Sequence, residues 1–221
     1  MAYTEFSLER VVQEFSLQVE IKSLFDKIEA QPLPELLTMS LEAGISLALR
    51  GGSEKARSEF IVAPVLLALR QISHERITIY SGATLNADPS RGLNGECDFI
   101  VAEGIALPAL LSPPILTLVE AIPPEGASWN QEAKKQDIEL GLGQCIAQML
   151  GAMQFNQTAN KAKPCIYGCV TSAEVWQFLK LEGTQLTIDS NRYVLTPLEY
   201  TSSISMILGV FSSILAVMLE N

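Results

Sequence analysis

Apolar residues near the start of the chain recur at helical spacing. Leu8, Val11, Val12, Phe15 and Val19 fall near one face of a 3.6-residue repeat. Residues 5 to 50 therefore read as helical. Pro34-Glu35 opens a second helix through about Leu49, because proline is pre-set for a first helical turn. Gly51-Gly52 ends it. Ser53 can cap a third helix reaching about Ile72, with a kink or break at Pro64, which has no N–H to donate.

The texture then changes. Ile77-Thr78-Ile79-Tyr80, residues 94–102 (NGECDFIVA) and residues 115–121 (ILTLVEA) read as three strands. Residues 137 to about 155 read as a helix, with Ile138, Leu142, Cys145, Ile146, Met149 and Met153 on one face. Strands follow at 165–170, 175–181 and 185–188, and a closing apolar helix runs from about Thr201 to Leu219. The order helix, three strands, helix, further strands, helix predicts an α+β fold whose first strands form hairpins. Residues 1–52 form an N-terminal helical extension, 53–190 a core and 191–221 a C-terminal helix packed on the core or at a subunit interface. All three belong to one compact domain.

Of the 221 residues, 48% are hydrophobic and 18% charged, enough for a large buried core. The net charge of −10 argues against a basic nucleic-acid surface over the whole molecule. It leaves room for a local groove rim from Arg91, Lys134, Lys135, Lys161 and Lys163. Phosphate binding there would be weak and salt-sensitive. The start, MAYTEFSLER, lacks the basic and apolar regions of a signal peptide. Cys97, Cys145, Cys165 and Cys169 read as buried free thiols of a reduced, cytoplasmic protein. The apolar stretch 204–219 is shorter than the ~20 residues of a membrane span. It reads as a buried helix or as the seam of a homodimer, not as a membrane anchor.

Two acids stand inside apolar strands. Asp98 shares its strand face with Ile100, opposite Cys97, Phe99 and Val101, and Glu120 lies on the face of Leu116 and Leu118. A carboxylate in such a place is costly unless paired, protonated or bound to a cation. Two on consecutive strands could share a divalent ion. Glu59 lies on the helix before the strands. Gln144 lies on the helix after them, beside Gly141 and Gly143, which allow close backbone approach. Thr171, Trp176 and Phe178 follow the fourth strand.

This succession, over residues 53–188, resembles the PD-(D/E)XK nuclease superfamily. It is most similar to the N-terminal nuclease region of type I restriction enzyme R subunits and related uncharacterised cyanobacterial proteins. The resemblance implies a restriction-endonuclease-like core and hydrolysis of nucleic-acid phosphodiester bonds. Asp98 and Glu120 would hold Mg²⁺ or Mn²⁺, with Glu59 as an additional acid and Gln144 as a positioning or phosphate contact. It also implies a lysine two residues after the strand glutamate. That position is Ile122.

Glu132-Ala133-Lys134 follows a polar, turn-forming stretch that cannot build a central strand. Removing residues 122–133 joins Glu120-Ala121 to Lys134 and restores an uninterrupted Glu-x-Lys. Two readings stand. An insertion has split the motif and Lys134 is the replacement lysine, with Trp129 in the loop. Alternatively the lysine is lost, and the fold serves as a catalytically inactive binding or assembly module. A Ser-His-Asp hydrolase is disfavoured: His74, the one histidine, lies in a helix-to-strand connection.

Overall fold

The strands include one stretch read as helix. In a computed structural model, residues 2–51, 53–105, 110–123 and 131–220 are described, with backbone alone for 51, 131–140 and 197. The sequence Gln18-Val19-Glu20-Ile21-Lys22 alternates polar and apolar, and it is strand β1 (Gln18–Lys22), not helix. Helix α1 (Leu8–Glu14), capped by Ser7, stops before it, where Ser16 takes a left-handed φ of 52°.

Helix α2 spans Glu35–Gly51, close to expectation. The next helical segment is α3 (Glu54–Arg57), a π-helical turn (Ser58–Val62) and α4 (Ala63–Ile72). Pro64 does not break it. The π turn just before it, in which Ala63 N–H donates to Ser58, absorbs the irregularity while the backbone stays right-handed helical. Strands β2 (Ile77–Asp88), β3 (Leu93–Glu103) and β4 (Ile115–Ala121) form the antiparallel meander. Helix α5 (Gln131–Thr158) then crosses back, and β5 (Ile166–Thr171) lies parallel to β4. Strands β6 (Val175–Glu182) and β7 (Gln185–Val194) continue antiparallel, and α6 (Tyr200–Glu220) closes the described chain.

The result is a mixed α+β fold around one seven-stranded sheet, ordered β1-β7-β6-β5-β4-β3-β2. Strand β1 pairs in parallel with β7, so the first strand of the chain extends the sheet built by the last. One apolar cluster joins a sheet face to α2, α4 and α6; a second joins the other face to α1 and α5. Helix α6 is long and apolar enough to cross a membrane, yet here half of its most apolar window is buried. Phe211 meets Trp176 and Phe178 edge-on, at centroid distances of 6.1 and 5.1 Å. The four cysteines are free and buried.

Two glycines let α5 lie close to its neighbours. A Cβ at Gly143 would stand 2.3 Å from the Phe6 carbonyl oxygen, where the N-terminal segment passes over the helix. One at Gly141 would stand 2.6 Å from Ile122 Cγ2. Asn156, near the far end of α5, clips the start of β4 with paired 2.7 Å bonds to the Ile115 backbone. Backbone cannot retreat as a flexible side chain can. Gly143→Ala is expected to cost about 2 kcal/mol or more of unfolding free energy in urea titration. An unchanged midpoint would contradict this approach of the N-terminal segment to α5.

A candidate acidic site on strands β3 and β4

The strand alternation slips a step at Asp98, and that slip exposes its carboxylate to the neighbouring strand. Gly82, opposite, has φ of 62°, and the β2–β3 ladder skips the Gly82/Asp98 position. Cys97 and Ile100 lie together in the α5-side cluster while Phe99 lies in the other, so Cys97 does not share the Phe99 face. The β3–β4 ladder ends at Phe99/Val119. Beyond it, Asp98 Oδ2 accepts the Ala121 N–H at 2.8 Å. A side-chain carboxylate thus takes the place of a ladder partner. Glu120 keeps company with Leu118 on the α5 side, but a register shift near the start of β4 puts Leu116 in the opposite cluster.

Glu120 is 6% exposed. Gln144 Nε2 donates to its Oε1 at 2.5 Å and Gln148 Nε2 to its Oε2 at 2.8 Å. The two glutamines are one turn apart on α5, so both amides reach the same carboxyl. Burial, then the charges of Asp98 and Glu54, push the Glu120 carboxyl up to about 9. Burial also raises Asp98, and burial together with Asp98 raises Glu54. Gln148 Oε1 is buried without a hydrogen-bond partner. A half-turn of that amide exchanges its oxygen and nitrogen, and a protonated Glu120 can then donate to it. The same pair of amides therefore suits either protonation state of the acid.

Glu54, absent from the sequence reading, is the acid that α3 brings to Asp98 and Glu120. Arg57, buried on the same helix, holds α3 in place by donating to the Ser172 carbonyl and to the Glu174 carboxylate. The half-exposed carboxylate of Glu59 pairs with Lys55 at 2.9 Å. The Lys55–Glu59 i,i+4 spacing was the available sign of a solvent-facing pair, and Gln148, four residues after Gln144, was the available sign of a second amide. Thr171 shapes the β5–β6 turn, accepting from Ala173 N–H and donating to the Val175 carbonyl, while Trp176 and Phe178 are core.

The position two residues after Glu120 is filled by apolar packing. Ile122 donates its N–H to the Thr171 carbonyl at 2.8 Å and sits against Gly141 and Val170. The split between Glu120 and Lys134 is also not all loop. Residues 131–133 already belong to α5, and 124–130, with Trp129, lie outside the described residues. Lys134 is in the first turn of α5, ten residues before Gln144, or about 15 Å along the axis. Its side chain, like that of Lys135, lies outside the described residues. The other expected groove cations are engaged: Lys163 with Glu103 at 3.1 Å, Lys161 with the Pro113 carbonyl, and Arg91 over the Phe15 ring.

Among the described residues, no three His, Cys, Asp or Glu side chains are gathered closely enough to hold a metal ion. Asp98 and Glu120 nevertheless offer the type of oxygen donor that a magnesium-like ion takes. Such ions use one or two carboxylates and keep several waters. Each oxygen named above retains a second lone pair. A cation would also offset the burial and the neighbouring negative charges that hold these acids up.

Without metal, Glu120 is protonated in the native state and ionised in the unfolded chain between its ordinary value and about 9. The native state then binds the extra proton, so stability falls as pH rises through that window. Asp98 and Glu54 add the same sign. In chelator, thermal melting should drop from about pH 5 to about pH 9, and Glu120→Gln should flatten that slope. A wild-type profile parallel to that of the variant would refute a raised Glu120.

No family model matches the chain, and no curated protein matches it, so the chemistry of the site rests on its own geometry.

Proposed function

We propose that this chain is a metal-dependent nuclease of the PD-(D/E)XK type, hydrolysing nucleic-acid phosphodiester bonds. Asp98 and Glu120 would hold Mg²⁺ or Mn²⁺. The observation that carries the reading is the Asp98–Glu120 pair: two acids on adjacent strands, joined through the Ala121 N–H, with Glu54 adding a third negative charge. The frame supports it. A helix bearing Glu54 leads into the β2-β3-β4 meander, α5 follows, and β5 returns parallel to β4. That is the order of elements the resemblance implies for a restriction-endonuclease-like core.

A bound divalent ion lowers the pKa of its water and offsets charge on the phosphate. The chain's own groups set the site. Gln144 and Gln148 fix both oxygens of Glu120, and the Ala121 N–H fixes Asp98. Gln144 is thus a positioning residue. Glu54, with its raised affinity for a proton, suits the role of proton acceptor from the attacking water. Lys134 would supply the cation on the developing negative charge, carried on the first turn of α5.

One observation favours a second reading, a catalytically inactive member of the fold acting in binding or assembly. Ile122 closes the lysine position with packed apolar atoms. Cleavage of single- and double-stranded DNA and RNA with Mg²⁺ or Mn²⁺ separates the two. The nuclease reading expects cleavage by the wild type and a loss of about a hundredfold or more in Asp98→Asn. Equal activity in both proteins would refute it. No cleavage, with Mn²⁺ binding seen by calorimetry and abolished in Asp98→Asn, would establish the second reading. In that case Ile122→Lys is the variant expected to gain activity.

A further inference from the structure

Helix α2 carries two apolar stripes, and the fold covers one of them. Leu37, Leu41 and Ala48 are buried in the core. The second stripe is Leu36, Met39, Ala43 and Leu47, at the 3-4-4 spacing of a helix-pairing seam. It lies outside: Leu36 is 66% exposed, Met39 61% and Leu47 57%. Beside it runs the α4 segment in the opposite direction, with Phe60 against Gly44 and Leu67 near Leu36. Leu67 is 57% exposed and Phe60 39%. A groove of about 180 Å³ separates the helices between Leu36, Ser40, Pro64 and Leu67. Exposed leucines scattered singly are ordinary, but a contiguous apolar face of two helices marks an interaction surface.

We infer that this face is covered by the same face of a second copy of the chain, with the two α2 helices antiparallel across a twofold axis. The face complements itself when turned end for end. Leu36 comes level with Leu47 of the second copy, and Met39 with the small Ala43 within one residue's rise. The Leu36–Leu67 end of one copy then meets the Leu47–Phe60 end of the other. The charges agree. Glu35 precedes the seam and Arg50 follows it, both exposed. Among the described residues neither has an ion-pair partner in its own chain. In this register Glu35 of each copy stands about 3 Å along the axis from Arg50 of the other. Symmetry makes the pair twice. Helix α6, the other apolar helix, has most of its large side chains in the core. The inference is independent of the proposed chemistry, since none of these residues belongs to the acidic site.

Sedimentation equilibrium of the full chain tests it. The wild type is expected at twice its 24.1 kDa mass. The double variant Leu36→Glu/Met39→Glu is expected at the monomer mass with unchanged circular dichroism, because both side chains are on the surface. Arg50→Glu alone should weaken association several-fold, and Glu35→Arg/Arg50→Glu should restore it by exchanging the charges at both ends. A monomeric wild type overturns the proposal and leaves the face to another protein or a lipid surface. A dimer indifferent to Leu36→Glu/Met39→Glu, or a double charge exchange that fails to restore association, overturns it as well.

Discussion

A single buried carboxyl sets the terms for the α5 side of the sheet. Glu120 lies on β4, with β3 and β5 as neighbours, where an unpartnered charge would cost several kcal/mol. The fold answers with two amides from one helix, and those amides fix where α5 lies across the strands. Its close approach then requires Gly141 and Gly143, because side chains there would collide with Ile122 and with the N-terminal segment. The approach of Asp98 and Glu54 adds to the repulsion instead of relieving it. Three acids drawn together without a compensating cation among the described residues are expensive for stability alone. That expense is the physical reason to look for a divalent ion here.

Much of this was legible in the sequence because periodicity reports burial. Strand β4 matched its apolar run, and α2 differed from the pattern by a residue or two at each end. Asp98, Glu120 and Gln144 were visible as polar residues in apolar surroundings, and they do come together. What failed were features that depend on partners far away in the chain. Strand β1 was missed because Val19 also fits the helical repeat that precedes it; its five exposed residues are held as a strand by pairing with β7, far later in the chain. The Cys97–Phe99 alternation failed at Asp98 because Gly82, on another strand, twists the ladder. Glu54 was overlooked because helix periodicity alone does not say which turn meets the sheet. Arg57, anchored to the β5–β6 turn, decides that.

The π turn at Ser58–Val62 has a related origin. Proline at position 64 removes one donor from the helical ladder, and the widened preceding turn keeps the segment helically continuous. Glu54 and Arg57 lie on one side of that turn, and Leu66 and Leu69 on the other. The acidic site and the helical layer are thus served by one segment whose two halves are rotated relative to a regular helix.

The parallel pairing of β1 with β7 bears on how the protein is made. Residues 18–22 leave the ribosome long before β7, their strand partner among the described residues. Until then an amphipathic five-residue strand with Val19 and Ile21 exposed has nothing to pair with. Long-range pairing of this kind slows folding and prolongs the exposure of unsatisfied edges. The charges that alternate with the apolar residues, Glu20 and Lys22, are paired with each other at 2.8 Å. They give that edge the polar character that discourages pairing with the wrong chain while it waits.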